Sequence, residues 1–167
     1  GSSGKFYYFE NTGNSTSPNF PASLTNPFSL ITSPGYDNNL GFADLDNDGD
    51  LDMMTGQLNA FQYYENIGTA SAPDFAPIQT NPFSLGGTSI YNYSMEFADL
   101  DNDGDLDLMA QNTFFHYYEN TGTSSSPNFA TVLTSPFSLG AVNSPNSLSA
   151  VDLDNDGDLD IMSSHYS

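Results

Sequence analysis

Apolar residues fall in short clusters separated by polar turns, and the clusters recur along the chain. A short apolar run, Phe42-Ala43, Phe97-Ala98 or Ala150-Val151, stands before an acidic segment. A second run follows that segment at residues 51–54, 106–109 and 159–162. An alternating aromatic stretch comes next, at 61–65 and 115–119, with a further copy at 5–10. A turn rich in Gly, Ser, Thr and Pro then leads to residues 74–79 or 128–133. Runs of this length, punctuated by turn formers, predict β-strands. No stretch combines a helical period with caps. The pattern predicts an all-β fold with four antiparallel strands per unit, here A to D, where A precedes the acidic segment and B follows it.

The units repeat closely. Asp-Leu-Asp-Asn-Asp-Gly-Asp-Leu-Asp begins at residues 44, 99 and 152, so the starts lie 55 and 53 residues apart. Pro-Phe-Ser-Leu begins at Pro27, Pro82 and Pro136, and an aromatic pair with Glu-Asn begins at Tyr8, Tyr63 and Tyr117. Three landmarks in step mark a repeat protein, and four strands in about fifty residues is the size of a propeller blade. Residues 1–4 read as a tag or linker remnant. Residues 5–167 hold three blade-equivalents: a C–D pair, two whole blades at about 42–85 and 95–139, and an A–B pair. Three blades are too few for a ring, since propellers have about four to eight. Two chains joined head to tail predict a six-bladed homodimer, with the chain itself as its partner.

Composition narrows the chemistry. The 167 residues include 21 Asp and Glu against one Lys, for a formal net charge of −20. Phosphate backbones and anionic membranes both call for cations that this chain lacks, so nucleic-acid and membrane partners are not expected. Cysteine is absent, which removes disulfides, thiol catalysis and thiolate metal sites. No apolar run is long enough for a membrane span or secretory signal. Aromatics at 14% distinguish the chain from a disordered acidic tail.

The acidic segments hold 15 of the 21 acids. Asp at positions 1, 3 and 5 lets three carboxylates converge, Gly at position 6 permits the sharp turn, position 7 offers its carbonyl and position 9 a last carboxylate. The predicted ligands are Asp44, Asp46, Asp48, Asp50 and Asp52; Asp99, Asp101, Asp103, Asp105 and Asp107; and Asp152, Asp154, Asp156, Asp158 and Asp160. Hard oxygens at this spacing suit Ca2+, one per repeat and three per chain, rather than octahedral Mg2+. Without a cation, mutual repulsion predicts a splayed loop. An EF-hand is excluded because position 12 is Thr55, Ala110 or Ser163 and the flanks read as strands.

The loop, the repeat length and the trailing Tyr-Tyr-Glu-Asn-x-Gly resemble FG-GAP/VCBS repeats, the blades of integrin-α-type propellers and of many secreted bacterial proteins. The resemblance implies structural calcium between strands A and B and an extracellular or secreted location. That family also includes a fungal seven-bladed lectin, which raises sugar binding.

The repeats diverge most in the D–A loops, 31–41, 86–96 and 140–149, and in the B–C hairpins, 55–60, 110–114 and 163–167. Tyr36, Asp37, Asn38, Tyr91, Asn92, Tyr93 and Asn146 bring aromatic planes beside amides and a carboxylate, a set suited to sugar rings. Drift in loops that contact nothing is the competing reading. His116 stands where the first blade has Gln62, a packing or solvent-facing position, and Glu10, Glu65 and Glu119 are expected to bond backbone amides. With no Arg, no Cys and no convincing acid pair outside the loops, the chain reads as a binding module and not an enzyme. The expected function is calcium-stabilised glycan binding; the alternatives are a structural or protein-adhesion propeller and an engineered or excised half-propeller.

Overall fold

A computed structural model describes residues 4–31, 39–57, 60–86, 94–143 and 145–165, without the side chains of Gln57, Pro145, Asn146 and His165. Twelve strands are present among these residues, together with one 3-10 turn at Pro136–Ser138. They form four antiparallel sheets. The first whole blade is β3 (Leu40–Ala43), β4 (Asp52–Gln57), β5 (Ala60–Tyr64) and β6 (Gln79–Thr80), paired in that order. The second is β7 (Ser94–Ala98), β8 (Asp107–Gln111), β9 (Phe115–Tyr118) and β10 (Leu133–Thr134). A two-stranded sheet precedes them, β1 (Tyr7–Tyr8) with β2 (Leu24–Thr25), and another follows, β11 (Pro145–Val151) with β12 (Asp160–His165). These are the expected C–D and A–B pairs.

Strand bounds shift from the sequence reading in a consistent way. Strand B begins on the last Asp of each acidic segment rather than on the Leu before it. Strand D is only two residues long and lies later than the expected 74–79 and 128–133. Its earlier part instead makes isolated bridges, Asn66 to Phe75 and Asn120 to Phe129. In the first blade Pro77 and Pro82 flank the short strand, and each lacks the N–H that a ladder needs. Residues 55–57 and 110–111, expected in hairpin loops, extend strand B.

Each Pro-Phe-Ser-Leu element is a tight turn. Phe28, Ser29, Phe83, Ser84, Phe137 and Ser138 all have positive φ, a region costly for residues with a Cβ. The turn is held across blades: Phe75 N–H donates to the Phe28 carbonyl at 3.0 Å, and Phe129 N–H to that of Phe83 at 2.9 Å. Asn26 and Asn81 start the turn and accept from Phe6 N–H and Phe61 N–H, both at 2.9 Å.

In the two whole blades both faces of strands B and C are buried, because these sheets are stacked between neighbours. Met54, Phe61 and Tyr63 of the first blade pack with Met95, Leu108 and Tyr118 of the second. On the opposite face Met53 and Tyr64 meet Phe6 and Phe75. Met109 and Tyr117 pack against Leu148 of β11. Strand β7 touches both β3 and β11, so the A strands of successive sheets lie side by side. Four-stranded meanders stacked in this way are β-propeller-like blades.

Candidate metal centres

Each acidic loop turns between strands A and B of one sheet. Asn47, Asn102 and Asn155 adopt left-handed φ near +60°, and Gly49, Gly104 and Gly157 lie at +98°, +96° and +100°. Asn tolerates the first conformation and Gly the second, which accounts for the Asn-Asp-Gly core of the motif.

The turn brings carboxylates at positions 1, 3 and 5 together. Asp44, Asp46 and Asp48 each present an oxygen within 4.8 Å of the others. Asp99, Asp101 and Asp103 do the same, as do Asp152, Asp154 and Asp156. The loop is not splayed, because its own backbone holds it. Asp48 N–H donates to Asp44 Oδ1 at 3.1 Å, Gly49 N–H to Asp44 Oδ2 at 3.0 Å and Asp50 N–H to Asp48 Oδ1 at 3.1 Å. The second and third loops repeat these bonds. Partial positive charge on three amides offsets part of the repulsion expected from sequence.

The seventh-position carboxylates differ between loops. Asp50 and Asp105 are buried, and each has an Oδ1 atom without a hydrogen-bond partner among the described residues. Asp158 is exposed. Burial, followed by repulsion from Asp48, raises the Asp50 carboxyl above its ordinary range; burial and Asp103 act likewise on Asp105. Burial foremost, and then Asp48, raises Asp46.

The ninth-position carboxylates stand outside the groups of three and are occupied otherwise. Asp52 is 1% exposed, and its Oδ1 accepts from Asn66 N–H at 2.7 Å. Its Oδ2 accepts from Tyr63 Oη at 2.7 Å and Leu45 N–H at 3.2 Å. Asp107 has the matching set in Asn120 N–H, Tyr117 Oη and Leu100 N–H. Burial pushes Asp52 up to about 6 against the pull of these donors, and it also raises Asp107. Burial and the facing carboxylate hold the Tyr63 and Tyr117 hydroxyls protonated well above their ordinary range. Position 9 therefore ties the first two loops to strand C of their own blades.

The Tyr-Tyr-Glu-Asn-x-Gly element completes this tie, a role that the sequence reading missed. Asn66 Oδ1 accepts from Gly68 N–H and Asp74 N–H at 3.1 and 3.0 Å, and Asn120 does the same with Gly122 and Asn128. At Gly68 a Cβ would lie 2.3 Å from the Ala72 carbonyl, so only glycine fits. The signal was present, since Asn and Gly recur two residues apart in every copy.

Other predicted residues fare unevenly. Tyr36, Asp37, Asn38, Tyr91, Asn92 and Tyr93 lie outside the described residues, and Asn146 is placed on β11 with its side chain outside them. His116 is buried, with ring nitrogens 3.1 Å from Asn112 Oδ1 and 3.3 Å from Thr134 Oγ1, and burial lowers its pKa. The Glu65 carboxylate receives Gln79 Nε2 at 3.3 Å rather than a backbone amide; it is the Glu65 and Glu119 carbonyls that meet amides, those of Ala76 and Ala130. No helix among the described residues is long and apolar enough to cross a membrane.

The three oxygen groups are hard-donor sets able to hold a metal ion, and the two partnerless Asp oxygens beside them leave acceptor capacity unspent. A family model described as an FG-GAP-like repeat matches residues 44–110, from the first acidic loop through strand B of the second blade. No curated protein and no solved structure matches the chain. Residues 44–110 are thus similar to an FG-GAP-like repeat, and they lie within an all-β stack of antiparallel sheets.

Proposed function

We propose that the chain is a calcium-stabilised binding module of propeller blades, working outside the cell. The observation that carries the calcium reading is the convergence of three Asp oxygens within 4.8 Å in each of three loops. Asp44, Asp46 and Asp48 and their counterparts would hold the ion in each loop, with the carbonyls of Asp50, Asp105 and Asp158 as further donors. Bound calcium supplies charge neutralisation and a crosslink across the turn. Asp52 and Asp107 act on the loop by fixing it to strand C. Their hydrogen bonds preset the turn and thereby lower the ordering that binding requires. Millimolar calcium, an extracellular condition, suits shallow and partly exposed sites of this kind.

The loop face opposite the acidic loops is the proposed ligand surface, and glycans are the proposed ligand. Tyr36, Asp37, Asn38, Tyr91, Asn92, Tyr93 and Asn146 support this by residue type. A rigid stack of blades carrying variable loops is the usual arrangement for recognition, and repeated weak sites would combine by avidity. The FG-GAP repeat family, typically structural or binding rather than catalytic, also supports a binding role. A protein-adhesion or purely structural role is the second reading, favoured by how much of the aromatic payload goes into packing between blades.

Two measurements separate these. Calcium titration against melting temperature tests the metal. Each site filled to a hundred times its Kd adds about 2.7 kcal/mol, and a melting curve unchanged by chelator refutes the calcium reading. A glycan array in calcium buffer tests the ligand. Binding that is lost on Tyr36→Ala or Tyr91→Ala supports the sugar; silence from folded, calcium-loaded protein leaves the adhesion reading.

A further inference from the structure

Every repeat boundary inside the chain is built alike, and the outermost sheets carry unfilled halves of that same boundary. Asp52 and Asp107 each accept from a loop amide, a strand-C tyrosine and the amide of the following Asn. Asp160, their counterpart on β12, is exposed and among the described residues accepts only from Leu153 N–H, at 3.1 Å. The residues matching its missing donors are Tyr8 and Asn11, on and just beyond β1.

The same complementarity recurs elsewhere. Phe75 and Phe129 donate their N–H groups to the carbonyls of Phe28 and Phe83, whereas the third pair of the series, Phe20 and Phe137, is split between the two ends, with both residues exposed. Met54 and Met109 are fully buried, but their counterpart Met162 is 55% exposed. Beside β1 lies an apolar cavity of about 580 Å³, lined by Tyr8, Phe28, Leu40, Phe42 and Met53. It occupies the place that strands A and B fill in the whole blades.

We propose that a second copy of this chain fills that cavity with its β11–β12 pair. Strand β12 of one copy then pairs with β1 of the other in the register of β4 on β5, in which Thr55 faces Gln62 and Met54 faces Tyr63. Ser163 thus faces Tyr7, and Met162 faces Tyr8 and enters the cavity. Tyr8 and Asn11 of the second copy complete the Asp160 anchor, so the third acidic loop is tied to strand C only in the assembly. Two such junctions about a two-fold axis close a ring of six blades, within the usual range, and leave no unpaired strand edge. The assembly is independent of what the opposite loop face binds.

Sedimentation of the 167-residue chain in calcium buffer tests it, with an expected mass twice the 18.0 kDa of one chain. A monomer, or a ladder of species growing with concentration, overturns it. Tyr8→Phe removes one hydroxyl at each junction and is expected to raise the dimer dissociation constant at least about tenfold. An unchanged constant overturns the Asp160 assignment. Because the chain has no cysteine, Tyr7→Cys combined with Ser163→Cys tests the register directly. Oxidation of this double variant should trap a covalent dimer, and none forming from protein shown folded by circular dichroism overturns the pairing.

Discussion

Tyr63→Phe deletes one oxygen atom and should measure what ties an acidic loop to its blade. The hydroxyl donates to Asp52 Oδ2 at 2.7 Å between residues that are 2% and 1% exposed, so water cannot take its place. A hydrogen bond to a charged group contributes about 1.5–3 kcal/mol. For a chain of this length that is roughly 3–12 °C of melting temperature, at about 2–4 °C per kcal/mol. The assay is thermal unfolding in calcium-free buffer at pH 7, for the parent, Tyr63→Phe, Asp52→Asn and the double variant. Coupling of about 1–2 kcal/mol between the two changes is expected. At pH 5 the Asp52 carboxyl, raised to about 6, is largely protonated. The loss from Tyr63→Phe should then shrink toward the roughly 0.5–1.5 kcal/mol of a neutral bond. Equal losses in the parent and Asp52→Asn backgrounds would refute the reasoning, because the hydroxyl would then matter only through packing.

Three more outcomes follow from the same geometry. Asp52 holds its proton to a higher pH folded than unfolded, so its burial stabilises the fold below about pH 4 and that contribution is lost as pH rises through 6; calcium-free protein should therefore melt higher at pH 5 than at pH 7, and added calcium should oppose the trend by favouring the charged carboxylates. His116 has the opposite sign: its pKa is lowered by burial, so stability falls as pH drops below the ordinary value of 6.5, and His116→Gln, which installs the residue found at Gln62, should gain on the parent by a margin that widens with acidification. Gly68→Ala sets a Cβ 2.3 Å from the Ala72 carbonyl and 2.7 Å from Asp74 N, a backbone clash that should cost about 3 kcal/mol, whereas Gly49→Ala meets no atom within 4 Å and pays only about 1–2 kcal/mol for its positive φ; urea unfolding ranks the two.

Much of the fold was legible because repetition supplied its own controls. The three copies of the acidic segment located strands A and B, although strand A starts two to five residues before the apolar pairs, inside the expected D–A loops, and strand B runs two or three residues past its apolar run; the aromatic pair placed strand C. Strand D was misplaced because residues 74–78 and 128–132 look like strands by composition, while their backbones make only isolated bridges at Phe75 and Phe129, with Pro77 adding to this in the first blade alone. The oxygen groups were visible in the Asp spacing at positions 1, 3 and 5. The other task of Asp52 was not, because its donors Tyr63 and Asn66 lie 11 and 14 residues away, across a strand pairing that spacing alone does not reveal. The closed loop was also unforeseen, since counting charges omits the backbone amides that counter them.

The stacking of sheets in chain order bears on how the molecule is made. Each strand in a whole blade pairs with the next one along the chain, and each core cluster draws on a few tens of residues on either side of one boundary. Contacts so local carry a small closure entropy, and a structure in which each repeat meets only its neighbours can grow from whichever boundary forms first. The boundary between the two whole blades has the largest core cluster and is the natural seed. Folding would then proceed outward in both directions like a zip, reaching β1 and β12 last. A growing chain on the ribosome could begin that process once its second blade had emerged.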